Sequence, residues 1–368
     1  MSLKSIRHNV VWKDNNYFSA WPANGALWRF GDFEIGLCFI RARCDYLSEE
    51  SVSHNLVVRE RVILRSFDEG TTWDLDNLQS VPFGYSDFDS GEWTFDTPKN
   101  LKSGFDPNSE QFCLLPRFGL PPENAQHLAG ICISADKGFT WSGPFRLPSN
   151  GYNHIGKPMR YVVLADGSIL LFAYASEFVS KSIGLLTDVP SVIVVFTSSD
   201  GGVTWNVLSE ITPEPLEPSI IMPYPIVLEN GELIVATRRP YDGIRMYTQF
   251  YVSSDKGLTW SKRSRLNGWG APACLTRLRN GNILCTYGYR NEPYGIKGCI
   301  SKDDCFTWSD PFWIRDDGGS MDLGYPLTIV RSDGTLLTLY YFNTSDEVPQ
   351  MNGGVRHIAS SIYDLAEM

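Results

Sequence analysis

Arginine, tyrosine, histidine and acidic side chains recur at the ends of predicted strands along this chain of 368 residues. The candidates are Arg43, Asp45, Glu49, Glu50, His154, Arg160, Glu217, Arg238, Tyr289, Arg290 and Tyr325. Arginine forks bind carboxylates through two parallel hydrogen bonds, and tyrosine rings stack on sugar faces while their hydroxyls hydrogen-bond. Any one of them could be an ordinary surface charge, but the whole set predicts a pocket for a polar ligand with an anionic group.

Other chemistries find little support in the sequence. The five histidines show no H-E-x-x-H or other metal-binding spacing, and neither a G-x-S-x-G elbow nor a phosphate-binding loop occurs. His154 is the only histidine expected near the pocket, where a hydrogen-bonding role suits it better than metal ligation. We therefore predict no metal and no cofactor.

A phrase of eight residues, Ser-x-Asp-x-Gly-x-Thr-Trp, organises the strands that position these side chains. It occurs at Ser66–Trp73, Ser134–Trp141, Ser198–Trp205, Ser253–Trp260 and Ser301–Trp308, with Cys305 in place of glycine in the last copy. Serine and aspartate fold back onto nearby backbone N–H groups, glycine accepts a positive φ, and tryptophan buries a large ring. Five copies, spaced roughly 50 to 70 residues apart, indicate a repeat protein of the propeller type.

A second repeated signal marks hairpins. Gly-Asp, Asp-Gly or Asn-Gly turns precede apolar strands at residues 31–32, 166–167, 230–231, 280–281 and 333–334. Each blade then reads as strand, turn, strand, variable loop, strand, Asp box and outer strand. The last blade lacks a box, and Ile6–Trp12 is expected to supply its outer strand and close the ring. We predict an all-β fold in one domain, residues 1–368: a six-bladed β-propeller of four-stranded antiparallel blades with five Asp-box turns.

This topology separates the boxes from the functional loops. The hairpin turns and the boxes share one side of each blade, whereas the loops after second strands and the starts of first strands lie on the other side. The boxes are therefore expected to be structural. The candidate residues should share the opposite face, where first strands converge on the central axis.

Charge and hydropathy limit the class of partner. The formal net charge of −10 argues against nucleic acid or an anionic membrane, because both need a basic face. No apolar run is long enough to span a bilayer, and the N-terminus lacks the apolar stretch of a signal peptide. We expect a soluble protein that is cytoplasmic, or secreted or periplasmic if a signal has been removed; its oligomeric state is open. The eight cysteines show no C-x-x-C spacing and are expected to be mostly reduced core residues.

The five boxes, the six-blade count and the blade-specific residues resemble the sialidase superfamily of Asp-box, or BNR-repeat, propellers. The resemblance covers essentially the whole chain. Boxes are specific for the fold but weak for the activity, since they also occur in non-enzymes and in other glycosidases. The resemblance implies a retaining exo-glycosidase that removes a terminal acidic sugar, sialic acid or a related one, from a glycan or oligosaccharide.

Two segments are similar to the family's site in the middle of the chain. Leu216–Ile221 resembles the segment that supplies a supporting carboxylate, and Asn230–Arg238 resembles the strand that ends in a carboxylate-binding arginine. The resemblance assigns these roles to Glu217 and Arg238.

The first and last blades supply the other catalytic candidates. The Gly-Tyr-Pro sequence around Tyr325, before the last Asp-Gly turn, resembles the segment of the family's nucleophilic tyrosine. Arg43 and Asp45 are similar to an arginine and the acid/base aspartate of the first blade, although Glu49 or Glu50 could fill the acid/base role.

Two pieces of the family pattern are absent together. Where sialidases carry Arg-Ile-Pro, Ala20–Pro22 reads Ala-Trp-Pro, and Tyr341 stands where the acidic partner of that arginine is expected. The joint absence indicates a changed subsite. The third arginine is open between Arg290 and Lys297.

Three hypotheses remain open. A sialidase-like glycosidase is favoured, and Arg160 or Arg239 could then bind a differently placed carboxylate such as that of a uronic acid. The two absent pieces motivate a glycan-binding propeller without hydrolysis. An acidic-polysaccharide lyase would need a histidine or tyrosine base beside a group that neutralises a carboxylate.

Overall fold

The computed structural model describes residues 3–22, 26–44, 46, 59–82, 96, 105–119, 128–177, 190–213, 219–240, 245–266, 268–344 and 354–365. Within these ranges the chain forms β-strands and no α-helix. The strands form six antiparallel sheets, one for each predicted blade, and the predicted all-β, six-bladed β-propeller is confirmed. Nowhere in the described ranges does a helix have the length and apolarity needed to cross a membrane.

The strands are numbered in chain order. The first twelve are Leu3–Trp12 (β1), Tyr17–Ala20 (β2), Ala26–Phe30 (β3), Glu34–Arg43 (β4), Glu60–Ser66 (β5), Gln79–Ser80 (β6), Cys113–Gly119 (β7), Leu128–Ser134 (β8), Ser142–Arg146 (β9), His154–Val163 (β10), Ile169–Ser176 (β11) and Val192–Ser198 (β12). The others are Asn206–Ile211 (β13), Ile221–Val227 (β14), Leu233–Pro240 (β15), Met246–Ser253 (β16), Ser261–Arg265 (β17), Ala273–Arg277 (β18), Ile283–Tyr289 (β19), Tyr294–Ser301 (β20), Phe312–Gly318 (β21), Gly324–Val330 (β22), Leu336–Phe342 (β23) and His357–Leu365 (β24).

The sheets follow the predicted meander. Their orders are β2–β4–β5–β6 with β3 also paired to β4, then β7–β8–β9, β10–β11–β12–β13, β14–β15–β16–β17, β18–β19–β20–β21, and β1–β24–β23–β22. The first blade differs from the prediction because its inner strand is split into β2 and β3. The second blade has three strands within the described residues.

The chain divides into two compact units. Unit 1 comprises Met1–Ser80, Ile244–Phe250 and Arg263–Met368, and unit 2 comprises Val81–Gly243 and Tyr251–Lys262. A single domain over residues 1–368 stays a prediction.

The N-terminal strand completes the last sheet of unit 1, as predicted. Strand β1 pairs antiparallel with β24, and His8 lies opposite Ser361 and Val10 opposite Ala359. Because β1 covers the edge of β24, the backbone groups of that edge are paired.

The boxes have the predicted structural role. In the third box, Ser198 donates a hydrogen bond of 2.8 Å to Asp200, and the Gly202 N–H donates one of 2.9 Å to the Ser198 hydroxyl. Gly202 has a φ of 93°, and Cys305 takes the same position of the fifth box with a φ of 67°. The backbone N–H of Cys305 keeps the equivalent bond to its box serine, so the cysteine preserves the turn.

The central strands carry the core. Every residue of β11 and of β23 is buried, because these strands lie inside sheets that are covered on both faces. All eight cysteines fall in the described part of the chain; seven are buried and none forms a disulfide. The expectation of reduced core cysteines is confirmed, with the half-buried Cys44 as the exception.

Candidate functional site

Tyr325 lies at a strained point at the start of β22. Its φ is 54° and that of Gly324 is 114°, both in the region that L side chains rarely adopt. The pairing of β22 with β23 shifts between Gly324 and Leu327, so the Tyr325 side chain leaves the regular alternation. Such a conformation costs about 1–3 kcal/mol and is common at ligand sites. The residue is 7% exposed, and its hydroxyl makes no hydrogen bond to any part of the chain that the structure describes.

The same local conformation recurs before two other prolines. Trp21, before Pro22, has a φ of 54°, and Met222, before Pro223, has a φ of 55°. All three residues stand at inner strands, and β14 also shifts its pairing at Met222. A proline follows each of the three strained residues, but X-Pro alone does not predict the strain, since Leu115 and Tyr224 also precede prolines in inner strands and have no positive φ.

Arg290 lies directly beside Tyr325 in unit 1. Its guanidinium donates two hydrogen bonds, of 3.1 and 2.9 Å, to the carbonyl oxygen of Leu323, and its Cζ is 5.5 Å from the centre of the Tyr325 ring. Burial lowers the pKa of Arg290, but the neighbouring tyrosines and Asp322 outweigh burial and raise it. The side chain therefore stays cationic next to the phenol.

Tyr341 connects this arginine to a carboxylate. Its hydroxyl accepts a bond of 3.1 Å from Arg290 Nη2 and donates one of 2.8 Å to Asp322 Oδ1. Its ring lies 5.8 Å from that of Tyr325, measured between centres. Burial, together with the charge of Asp322, raises the pKa of Tyr341 well above its usual range against the opposing effect of Arg290. Tyr341 is therefore a neutral hydrogen-bond donor.

Asp322 is paired with a fully buried arginine. Arg356 donates from Nε to Asp322 Oδ2 over 3.0 Å, and the Asn343 amide donates to the Asp322 carbonyl over 2.8 Å. The Arg356 side chain is 0% exposed and that of Asp322 is 18% exposed. We call Tyr325, Arg290, Tyr341, Asp322 and Arg356 the Tyr325 cluster.

The cluster contains an arginine–acid pair that the sequence did not reveal. The sequence showed an arginine and its acid missing together, at Ala20 and Tyr341, and Arg356 and Asp322 stand as another such pair beside Tyr341. Sequence reasoning assigned a role to neither residue. The available signals were an aspartate three residues before Tyr325 and an arginine immediately before the last strand.

Trp21 extends the aromatic row on the other side of Tyr341. Its ring centre lies 6.4 Å from that of Tyr341 and 5.2 Å from that of Phe18, and the Arg59 guanidinium lies 5.3 Å from the ring. Trp21 lies in the segment where the family pattern has Arg-Ile-Pro. Its ring contacts the Tyr325 cluster through Tyr341.

Arg43 stacks on a neighbouring tyrosine. Its Cζ lies 5.6 Å from the centre of the Tyr17 ring, and Arg41 lies 4.9 Å from the same ring. Arg41 also donates a bond of 2.7 Å to Glu60. The acid/base candidates Asp45, Glu49 and Glu50 lie outside the described residues.

Tyr289 and Lys297 form a separate arrangement on the fifth blade. The Lys297 ammonium lies 3.6 Å from the Tyr289 ring centre and 4.0 Å from that of Trp313. Burial lowers the pKa of Lys297. Lys297 is thus held between two rings, whereas Arg290 contacts Tyr325.

The remaining candidates belong to unit 2. His154 shares a hydrogen bond of 2.9 Å with the Tyr174 hydroxyl, and Arg160 lies 5.7 Å from the centre of the Tyr224 ring. Arg238 donates from Nη1 to the Met222 sulfur over 3.5 Å. The candidate Glu217 lies outside the described residues.

The described ranges contain no group of three or more His, Cys, Asp or Glu side chains that could hold a metal ion.

These sheets and box turns define the chain as an Asp-box β-propeller. Residues 111–338 match the BNR repeat-like domain family, and the chain belongs to that family. The resemblance to sialidase-superfamily propellers is thereby confirmed. No curated protein sequence matches the chain.

Solved structures share the fold at low identity. A protein of unknown function from Dyadobacter fermentans is 23% identical with a TM-score of 0.76, over 99% of this chain and 100% of that one. A sialidase of Trypanosoma rangeli, in complex with an inhibitor, is 14% identical with a TM-score of 0.61, over 98% of this chain. The match covers 60% of that sialidase, so this chain spans about three fifths of its length. An α-L-arabinofuranosidase of Fusarium graminearum is 15% identical with a TM-score of 0.58, over 95% of this chain and 97% of that one.

Proposed function

We propose that the protein is a retaining exo-glycosidase that removes a terminal sugar from a glycan, with Tyr325 as the nucleophile. The observation that carries the proposal is the strained backbone of Tyr325, which holds the phenol beside the cationic Arg290 and without a hydrogen bond from any described residue. A nearby cation stabilises the negative charge that develops on the attacking oxygen in the transition state, which helps a tyrosine to act as nucleophile.

The proposed reaction has two steps. In the first, the Tyr325 oxygen attacks the anomeric carbon, Glu217 accepts the phenol proton, and Asp45 protonates the leaving glycosidic oxygen. In the second, water attacks the glycosyl-tyrosine, Asp45 accepts the proton of the water, and the tyrosine oxygen leaves and is protonated again. The roles of Glu217 and Asp45 derive from the sequence resemblance, with Glu49 and Glu50 as alternatives to Asp45.

The test is hydrolysis of a panel of aryl glycosides of neutral and acidic sugars. We expect Tyr325→Phe and Glu217→Gln to abolish release of the aryl alcohol while circular dichroism stays that of the wild type. Separate Asp45→Asn, Glu49→Gln and Glu50→Gln variants identify the acid. Loss of the true acid should slow cleavage of a poor leaving group far more than cleavage of an activated aryl leaving group, which needs no proton to depart.

Tyr161→Phe is the matched control. The half-buried Tyr161 ring packs against Phe112 within unit 2 and is not a member of the Tyr325 cluster, so this variant should keep full activity. Product released with inverted configuration, or full activity of Tyr325→Phe, would refute the proposal.

A glycan-binding propeller without hydrolysis is the second candidate. It is favoured by Tyr341, which stands in place of an acidic residue and is a buried neutral donor. Binding on a glycan array with no product from any glycoside would identify this function.

A further inference from the structure

The Asp322 carboxylate has unused acceptor capacity at the Tyr325 cluster. Among the residues that the structure describes, each of its two oxygens accepts one hydrogen bond, from Tyr341 at Oδ1 and from Arg356 at Oδ2. A carboxylate has about four lone-pair sites, so one further donor can bind at each oxygen. Since 18% of the side chain is exposed, those donors can come from a ligand.

The carboxylate is also held in place. Arg356 and Tyr341 fix its two oxygens, and the fully buried Asn343 fixes its backbone carbonyl. A rigid pair of acceptor oxygens matches two neighbouring hydroxyls of a sugar ring, because both can donate at once.

The charges of the cluster disfavour an acidic sugar here. Arg356 is fully buried and neutralised by Asp322, so the exposed member of the pair is the negative one. Arg290 is a cation, but a single Tyr341 hydroxyl separates it from the Asp322 carboxylate. A ligand carboxylate on Arg290 would therefore lie close to a like charge.

We propose that Asp322 is a specificity-determining residue that binds two neighbouring hydroxyls of a neutral sugar and disfavours the corresponding acidic sugar. The inference rests on the proposed function for its ligand class, a terminal sugar beside Tyr325. It reverses the preference for an acidic sugar that the sequence suggested.

The experiment measures binding without turnover. Tyr325→Phe protein is titrated with matched pairs of methyl glycosides, galactoside against galacturonide and glucoside against glucuronide, together with methyl arabinofuranoside and a methyl sialoside. Competition by saturation-transfer NMR gives the dissociation constants. The 2-deoxy form of the best neutral ligand removes one of two neighbouring hydroxyls.

We expect a neutral glycoside to bind about tenfold more tightly than its uronide, because the uronide carboxylate would be repelled by the like charge of Asp322. Asp322→Asn in the same background should weaken the neutral ligand about tenfold and remove the preference. The same substitution should weaken the 2-deoxy ligand less, because that ligand has only one of the two hydroxyls left. The exposed Asp76 gives the control Asp76→Asn, which should change nothing.

Equal or tighter binding of the uronides or the sialoside would overturn the inference, as would absence of binding by every neutral glycoside at millimolar concentration. The comparison of each neutral glycoside with its uronide needs no substitution of Asp322. The inference can therefore be tested even if Asp322→Asn does not fold. If the wild type hydrolyses nothing while the neutral preference is found, the glycosidase proposal fails and this inference stands. If Tyr325-dependent hydrolysis prefers uronides, the inference fails alone.

Discussion

Replacement of Tyr341 by phenylalanine measures how much the hydrogen bonds of the Tyr341 hydroxyl contribute to the stability of the fold. The hydroxyl donates to a carboxylate and accepts from a guanidinium, and hydrogen bonds to charged groups contribute about 1.5–3 kcal/mol each. In the variant, Arg290 Nη2 keeps its hydrogen bond to the Leu323 carbonyl oxygen, and water can hydrogen-bond to the partly exposed Asp322. We therefore expect a loss below the full sum, about 2–3 kcal/mol in the free energy of unfolding.

Tyr363→Phe is the matched control for this change. Tyr363 is equally buried in the same unit, but its hydroxyl shares its bond of 2.9 Å with the neutral Thr338 hydroxyl. Loss of a neutral bond costs about 1 kcal/mol. Urea unfolding at neutral pH compares the two variants. A loss in Tyr341→Phe no greater than in Tyr363→Phe would refute the view that the cluster is a charged network.

The same variant has a characteristic pH dependence. Burial and the charge of Asp322 raise the pKa of Tyr341, so the folded protein keeps a proton that the unfolded chain releases near pH 10. A raised folded-state pKa contributes stability that is fully present below about pH 10 and is lost above it, at about 1.4 kcal/mol per pH unit. Stability of Tyr341→Phe should therefore decline less steeply above pH 10 than that of the wild type. Equal slopes would contradict this assignment.

Three further outcomes test the scaffold. Asp200→Asn should lower the free energy of unfolding by about 2 kcal/mol, because Asp200 accepts bonds from the backbone and hydroxyl of Thr204 in the third box; an unchanged urea midpoint would refute this. Gly156→Ala should destabilise by about 1–3 kcal/mol, since a Cβ would lie 1.9 Å from the Tyr174 ring, and thermal unfolding measures it. Hydrogen bonds, of which the one from the Thr259 side chain has the largest effect, lower the pKa of Asp255 to about 2. The contribution of Asp255 to stability is therefore present above about pH 4 and is lost as the pH falls toward 2. In an acid titration, the free energy of unfolding of Asp255→Asn should fall less steeply with pH than that of the wild type, and an identical acid midpoint would contradict this.

The fold was predictable because its determinants are local. Each box closes through hydrogen bonds between residues two to four positions apart, as in the bond from Gly202 to Ser198, so eight residues of sequence suffice to specify it. Closure by the N-terminal strand followed from the one sheet that lacked an outer strand. The split of the first inner strand into β2 and β3 did not follow, because it depends on the backbone around Trp21.

The candidate site was predictable only where it is local. Tyr325 stands out through its Gly-Tyr-Pro context, and the structure gives that context a physical meaning in the positive φ. Arg356 and Asp322 lie 34 residues apart, each just before a different strand, so no short sequence pattern predicts their pairing. Lys297 could not be distinguished from Arg290 by sequence, since only the packing of Tyr289 and Trp313 holds its ammonium between two rings.

The burial of Arg356 changes the interpretation of the arginine that is missing from the family pattern. From the sequence, Ala20 and Tyr341 indicated that a charge pair had been lost. The structure retains a pair but reverses its exposure, since the Arg356 side chain is 0% exposed and that of Asp322 is 18% exposed. A buried arginine acts on a ligand only through the carboxylate that it orients, whereas the exposed carboxylate meets the ligand directly. The charge that a sugar encounters beside Tyr325 therefore depends on which partner is exposed, and for this pair we expect hydroxyl donors to be preferred over anions.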